Sequence, residues 1–85
     1  MISDAHTWTT RLADDIEVKE FDHAGHHLRV TVWKSGHLWK WSYVIDGLHE
    51  GQITKRPFTE KGDSMSEGMF VAKYRAGKMP PLEKN

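Results

Sequence analysis

Three histidines fall within one short segment, His23, His26 and His27 in DHAGHH (Asp22–His27). Neutral imidazole is a good ligand for zinc, copper or nickel, so the cluster raises the question of a metal site. Its spacing argues against one. If a strand begins there, His26 and His27 point to opposite sides. The chain has no cysteine, and Asp22 is the only obvious carboxylate to complete a tetrahedron. A solvated turn accounts for the three more simply, and neither a metal nor another cofactor is expected. The six histidines still make pH matter. With an unperturbed pKa of about 6.5, they turn a neutral chain cationic below about pH 6.

The second candidate chemistry is recognition by an indole. Of the four tryptophans, Trp39 and Trp41 share a strand face with Tyr43, which core packing explains. Trp33 has the opposite phase and is expected near Arg29, Leu38 and Lys40. An aromatic beside basic residues on an open sheet can stack unpaired bases. It can also pack against a second subunit or against the chain's own N-terminal segment through Trp8. Catalysis finds less support. No serine sits in a G-x-S-x-G elbow, no G-x-G-x-x-G or Walker loop occurs, and adjacent carboxylates are found only at Asp14-Asp15. Nothing builds the concave, tuned site that acid–base work needs. A non-enzymatic protein is expected.

These residues are positioned by a hairpin. The stretch HLRVTVWKSGHLWKWSYVI (His27–Ile45) holds two alternating runs around Ser35-Gly36. A two-residue turn there sets Lys34 opposite His37, Val32 opposite Trp39, Val30 opposite Trp41 and Leu28 opposite Tyr43. The six apolar and aromatic residues then share one face, because side chains alternate with period two. The other face receives Trp33 with Leu38, Thr31 with Lys40, and Arg29 with Ser42. Next comes Asp46-Gly47. A three-residue loop (Asp46–Leu48) places Gly51 opposite Tyr43 and Ile53 opposite Trp41, whereas a two-residue loop would bury Glu50 and Gln52. The third run, Glu50–Arg56, ends at Pro57, which cannot donate to a ladder.

Ile16–Phe21 alternates and reads as a further strand, with Asp22–His27 as its turn. Residues 1–14 show no sustained period and read as irregular. Ser64-Met65-Ser66-Glu67 has the form of a capping box. From it a helix runs to a Gly77 cap, with Met65, Met69, Ala72 and Ala76 on one line and Phe70 beside it. Met65, Met69, Phe70 and Tyr74 are expected to pack on Trp39, Trp41, Val30 and Val32. The fold class is therefore α+β, an antiparallel meander of three to four strands with one C-terminal helix on one face. One domain over residues 15–79 is flanked by an irregular segment, 1–14, and a tail, 80–85.

Composition narrows the function classes. Eighty-five residues give one core, and a chain of this size buries only ~60–65% of its unfolded surface. Twelve basic and twelve acidic residues cancel. They are unevenly spread, six acids against two bases in residues 1–22 and five bases against two acids in 23–58. Nucleic-acid binding draws most of its affinity from phosphate neutralisation, so a neutral chain is not favoured for it. No apolar run approaches the ~18–20 residues that span a bilayer, and the N-terminus lacks the pattern of a signal peptide. A cytoplasmic protein is expected.

The W-x-W-x-Y-x-I run (Trp39, Trp41, Tyr43, Ile45), Asp46-Gly47 and the helix MSEGMFVAKYRAG (Met65–Gly77) resemble small bacterial proteins of unknown function with a β-meander and one C-terminal helix. The resemblance covers about two-thirds of the chain, from His27 onward, and carries no catalytic residue. A double-stranded-RNA-binding domain also ends in a three-stranded meander and a helix. This chain departs from it in having Asp63 and Glu67 where a lysine-rich helix start belongs. The expectation is an interaction module acting through Arg29, Trp33, Leu38 and Lys40. Its partner would be another protein or a second copy, with single-stranded nucleic acid as the alternative and His-dependent metal binding as a further one.

Overall fold

The alternation in the middle of the chain is realised as a sheet with one buried and one uncovered side. A computed structural model describes residues 8–81 and shows an α+β fold. Five strands run in order, β1 (Trp8–Ala13), β2 (Ile16–His23), β3 (His26–Ser35), β4 (Leu38–Ile45) and β5 (His49–Gln52), followed by α1 (Lys61–Gly77). Each strand pairs antiparallel with its sequence neighbours. The sheet thus has five strands rather than three or four.

The additional strand is β1, in a stretch expected to be irregular. Thr9 and Thr10 disfavour a helix but suit a pleated edge. They pair with Lys19 and Val18, and the register shifts between Arg11 and Ala13. Residues 1–7 and 82–85 lie outside the described residues, as does most of the expected tail.

The β3–β4 hairpin keeps the expected faces but not the expected turn. Ser35 pairs with Leu38, so the turn is Gly36-His37, and Leu28, Val30 and Val32 face Ile45, Tyr43 and Trp41. Gly36 alone of the two has positive φ, 67°, which is the type II′ requirement of glycine at the first central position. A Ser35-Gly36 turn of type I′ would force Ser35 into the left-handed region. Each residue of β3 therefore meets a partner two positions further along β4, and a shift of two leaves every side chain on its face. The β4–β5 loop is as expected. Ile45 pairs with His49 across Asp46–Leu48, and Tyr43 faces Gly51. Regular pairing stops at Gln52, before the expected end near Arg56, and resumes as a single bridge between Trp39 and Phe58.

Helix α1 lies across the buried face, over β3 and β4, and its start is not the expected capping box. It begins at Lys61 with Glu60 as N-cap and no side-chain capping bond. Ser64 is fully buried one turn inside, and its Oγ has no hydrogen-bond partner among the described residues. Glu67 turns to the sheet instead and accepts from Trp41 Nε1 at 3.2 Å. At the other end the helix runs through Gly77 to cap at Lys78, in the right-handed region.

The buried stripe is Ser64, Met65, Gly68, Ala72 and Ala76. Phe70 and Tyr74, expected inside, are 68% and 55% exposed. Space decides this. A Cβ on Gly68 would stand 2.9 Å from Val30 Cγ1 and 3.0 Å from Trp41 Cβ, so the helix is too close to the sheet for larger side chains on that line.

Two substitutions in α1 separate this packing from the sequence expectation. Ser64→Ala removes a buried unpaired hydroxyl and should raise stability by about 1 kcal/mol, where loss of an N-cap would lower it by about as much. Gly68→Ala gains about 1 kcal/mol of helix propensity, yet overpacking should make the variant less stable by about 1–3 kcal/mol net. Urea unfolding midpoints decide both. A less stable Ser64→Ala or a more stable Gly68→Ala contradicts the packing.

Candidate functional site

Period-two geometry carries the four candidate residues to the face that α1 leaves uncovered. On it β2 contributes Ile16, Val18 and Glu20. These stand in register with Trp33, Thr31 and Arg29 of β3, which pair in turn with Lys40, Ser42 and Val44 of β4. Trp33 is half-buried between Ile16 and Lys40. Leu38 lies beyond it, paired with Ser35 at the hairpin end. Arg29 sits two side-chain rows from Trp33 toward the other end of the strands. The structure therefore joins Trp33 with Lys40, and sets Arg29 and Leu38 to either side. Ile16 shares the row of Trp33, Val18 stands one row along beside Thr31, and Val44 stands two rows along beside Arg29. The alternation of Ile16–Phe21 contains two of them, and the phase of Val44 in β4 fixes the third.

Two hollows flank Trp33. One of about 440 Å³ is lined by Trp33, Ser42, Val44, Glu50 and Gln52 among others. The other, about 350 Å³, lies between Trp33, Lys40, Gln52, Lys55 and Pro57. Both open toward β5, which is only four residues long.

The charge on this face is largely paired. Glu20 Oε2 lies 3.9 Å from Arg29 Nε, and Glu20 Oε1 lies 2.9 Å from His27 Nε2. His27 Nδ1 in turn lies 3.0 Å from Asp22. Hydrogen bonds to Glu20 and then Asp22 raise the His27 pKa above 6.5. Lys40 makes no ion pair among the described residues. Glu20, Asp22 and Glu50 thus share the surface with Arg29 and Lys40, and a phosphate chain would meet both signs of charge.

The three clustered histidines are not gathered around a common point. The β2–β3 turn is Ala24-Gly25, both with positive φ, and His23 pairs with His26 across it. His26 is not part of a solvated turn. It is buried on the helix side, with Nδ1 2.5 Å from Asp46 Oδ2. His27 lies on the uncovered side, exposed. Among the described residues no three His, Cys, Asp or Glu side chains converge as metal ligands. Nor is any helix there long and apolar enough to cross a membrane.

No protein-family model, curated protein or solved structure matches this chain, so its site is read from its own geometry.

The His26–Asp46 pair gives stability a pH dependence. The Asp46 hydrogen bond outweighs burial and raises the His26 pKa above 6.5. Burial opposes ionisation of Asp46, but the His27 amide and His26 overcome it and hold the carboxyl below 3.8. A raised histidine adds stability that is complete below about pH 6.5 and lost as pH climbs through the folded value. A lowered carboxyl adds stability above about pH 4 that is lost as pH falls through its folded value. The pair therefore contributes most between about pH 4 and 6.5. Urea midpoints should decline above that window, and His26→Gln should flatten the decline. An unchanged slope in the variant removes His26 as its source.

Proposed function

We propose that this chain is a non-enzymatic interaction module that associates with a second copy of itself through the uncovered sheet face. The observation that carries the reading is Trp33, set beside Ile16 on the side without a helix, with Val18 and Val44 further along that side, and flanked by two hollows. A large aromatic with aliphatic neighbours on an open sheet side is the kind of surface that partners cover. Aromatic anchors beside hollows supply most binding energy where such faces meet. A second copy is the favoured occupant because the chain carries equal numbers of acidic and basic residues. Two copies meet with no net repulsion, and zero net charge favours association. The ionic string Arg29–Glu20–His27–Asp22 would form part of a polar rim.

The alternative is a single-stranded nucleic-acid binder on the same face, with Trp33 as a stacking platform and Lys40 beside it as the cation. The intermixed acids disfavour it, because phosphate contacts supply most of such affinity.

Light scattering coupled to size-exclusion chromatography across concentration tests the proposal. A dimer is expected to build up with concentration, and Trp33→Lys should weaken it by about 30-fold or more, the scale of an aromatic hot spot. A chain that stays monomeric at high concentration overturns the reading. Quenching of tryptophan fluorescence by a short oligonucleotide at low salt, fading as salt rises, would support the alternative instead.

A further inference from the structure

A third cavity lies on the opposite side of the sheet, where α1 stops short of β5. It is a cleft of about 590 Å³ whose lining includes Tyr43, Gly51, Gln52, Phe70, Val71 and Arg75. Three features give it a chemistry. First, Arg75 has no acidic partner among the described residues. Its Nη1 donates to Tyr43 Oη at 3.2 Å. Second, Tyr43 Oη accepts in that bond and keeps its own proton to donate. Two donors thus converge at one end of the cleft. Third, the other cation, Lys55, is neutralised by Glu67 at 2.9 Å, so the charge left over belongs to Arg75.

Apolar surface lies beside the donors. Phe70 is exposed at the wall and stacks with Tyr74 at 6.5 Å. Val71 lines the cleft beside it, and the Tyr43 ring fills the space where a Cβ on Gly51 would stand.

We propose that this cleft binds an oxyanion carried on a flat apolar group, the anion held by Arg75 and the Tyr43 hydroxyl and the apolar part lying against Phe70 and Val71. A guanidinium fork suits carboxylate and phosphate alike. The class is therefore an aromatic carboxylate or an aromatic phosphate. This site is independent of the uncovered face, and neither proposal needs the other.

Titration of the full chain with benzoate and with phenyl phosphate, followed by amide chemical shifts, tests it. Saturable shifts at Gly51, Gln52 and the Arg75 side chain are expected, with a dissociation constant of about 1 mM for ligands this small. Whichever anion binds tighter names the source. Inorganic phosphate and benzyl alcohol should each bind far more weakly. Arg75→Gln should cost about tenfold or more in affinity, and Phe70→Ala should weaken binding without loss of fold, since that ring is exposed. Lys34→Gln, at the far hairpin end, should change nothing. Absence of saturable shifts, equal binding of benzyl alcohol, or full affinity in both Arg75→Gln and Phe70→Ala overturns the proposal.

Discussion

The close seating of α1 on the sheet governs the rest of the molecule. Ser64, Gly68, Ala72 and Ala76 recur at every fourth residue and form a slim ridge, while the bulk of the core comes from Leu28, Val30, Val32, Trp41, Tyr43 and Ile45 on the strands. Rows of residues four apart form continuous ridges on a helix, and small side chains let the backbone come close to its partner. Large sheet residues and small helix residues then fill one layer at high density. Met65 is the one long side chain buried from the helix. The same closeness limits coverage. A single helix over β3 and β4 leaves β5 unsheltered at one side and cannot reach the back of the sheet.

That packing explains which parts of the fold the sequence revealed. Strand phase was legible because period-two alternation in residues 28–45 is unambiguous and survives a register shift of two. Trp33 therefore lies opposite Trp41 in face even though the hairpin turns one residue later than expected. The face of α1 was legible in part: Met65, Met69, Ala72 and Ala76 meet the core as their line suggests, but Phe70 and Tyr74 do not. Its sidedness is one of size rather than polarity, so a hydrophobic line through Met69 and Phe70 competes with the small-residue line through Gly68 and Ala72. Only the aromatic surface beneath decides between them, and that surface is remote in sequence. Glu67 shows the same effect. Its spacing from Ser64 suits a capping box, but the Trp41 indole and Lys55 supply stronger partners from the sheet side. The candidate face was legible as a phase, while the cleft at Arg75 was not. It exists only because a helix end, a strand edge and a glycine meet.

At the C-terminal end of α1, Ala76 and Met79 pack on the core beside a buried polar pair. His26 reaches Asp46 in the β4–β5 loop, and Asp46 Oδ1 also accepts from the His27 amide at 2.9 Å. The backbone of Met79 and Pro80 faces the same imidazole, although Nε2 makes no hydrogen bond of normal geometry with it. Pro81 closes over the β2–β3 turn so tightly that a Cβ on Gly25 would stand 2.7 Å from its Cβ. Two hairpin ends and the chain leaving the helix thus meet around one buried ring. In a small domain a buried polar pair of this kind fixes which ends meet, even where its net stabilisation is small.

The edge at β5 follows from two neighbouring constraints in the sequence. Gly51 has no side chain because the Tyr43 ring occupies that space. Pro57 cannot donate to a ladder, and after the Ile53 amide donates to the Trp41 carbonyl at 3.0 Å pairing lapses until Phe58 returns to Trp39. The strand is short for these reasons, and short edge strands resist unwanted pairing with other chains. The same brevity leaves hollows on both sides of it. Tyr43, Gly51 and Gln52 border the cleft on the helix side and also one hollow beside Trp33. The thinnest part of the sheet therefore separates the two candidate surfaces. A side chain at position 51 would intrude on the wall between them, so this glycine is where packing and recognition make the same demand.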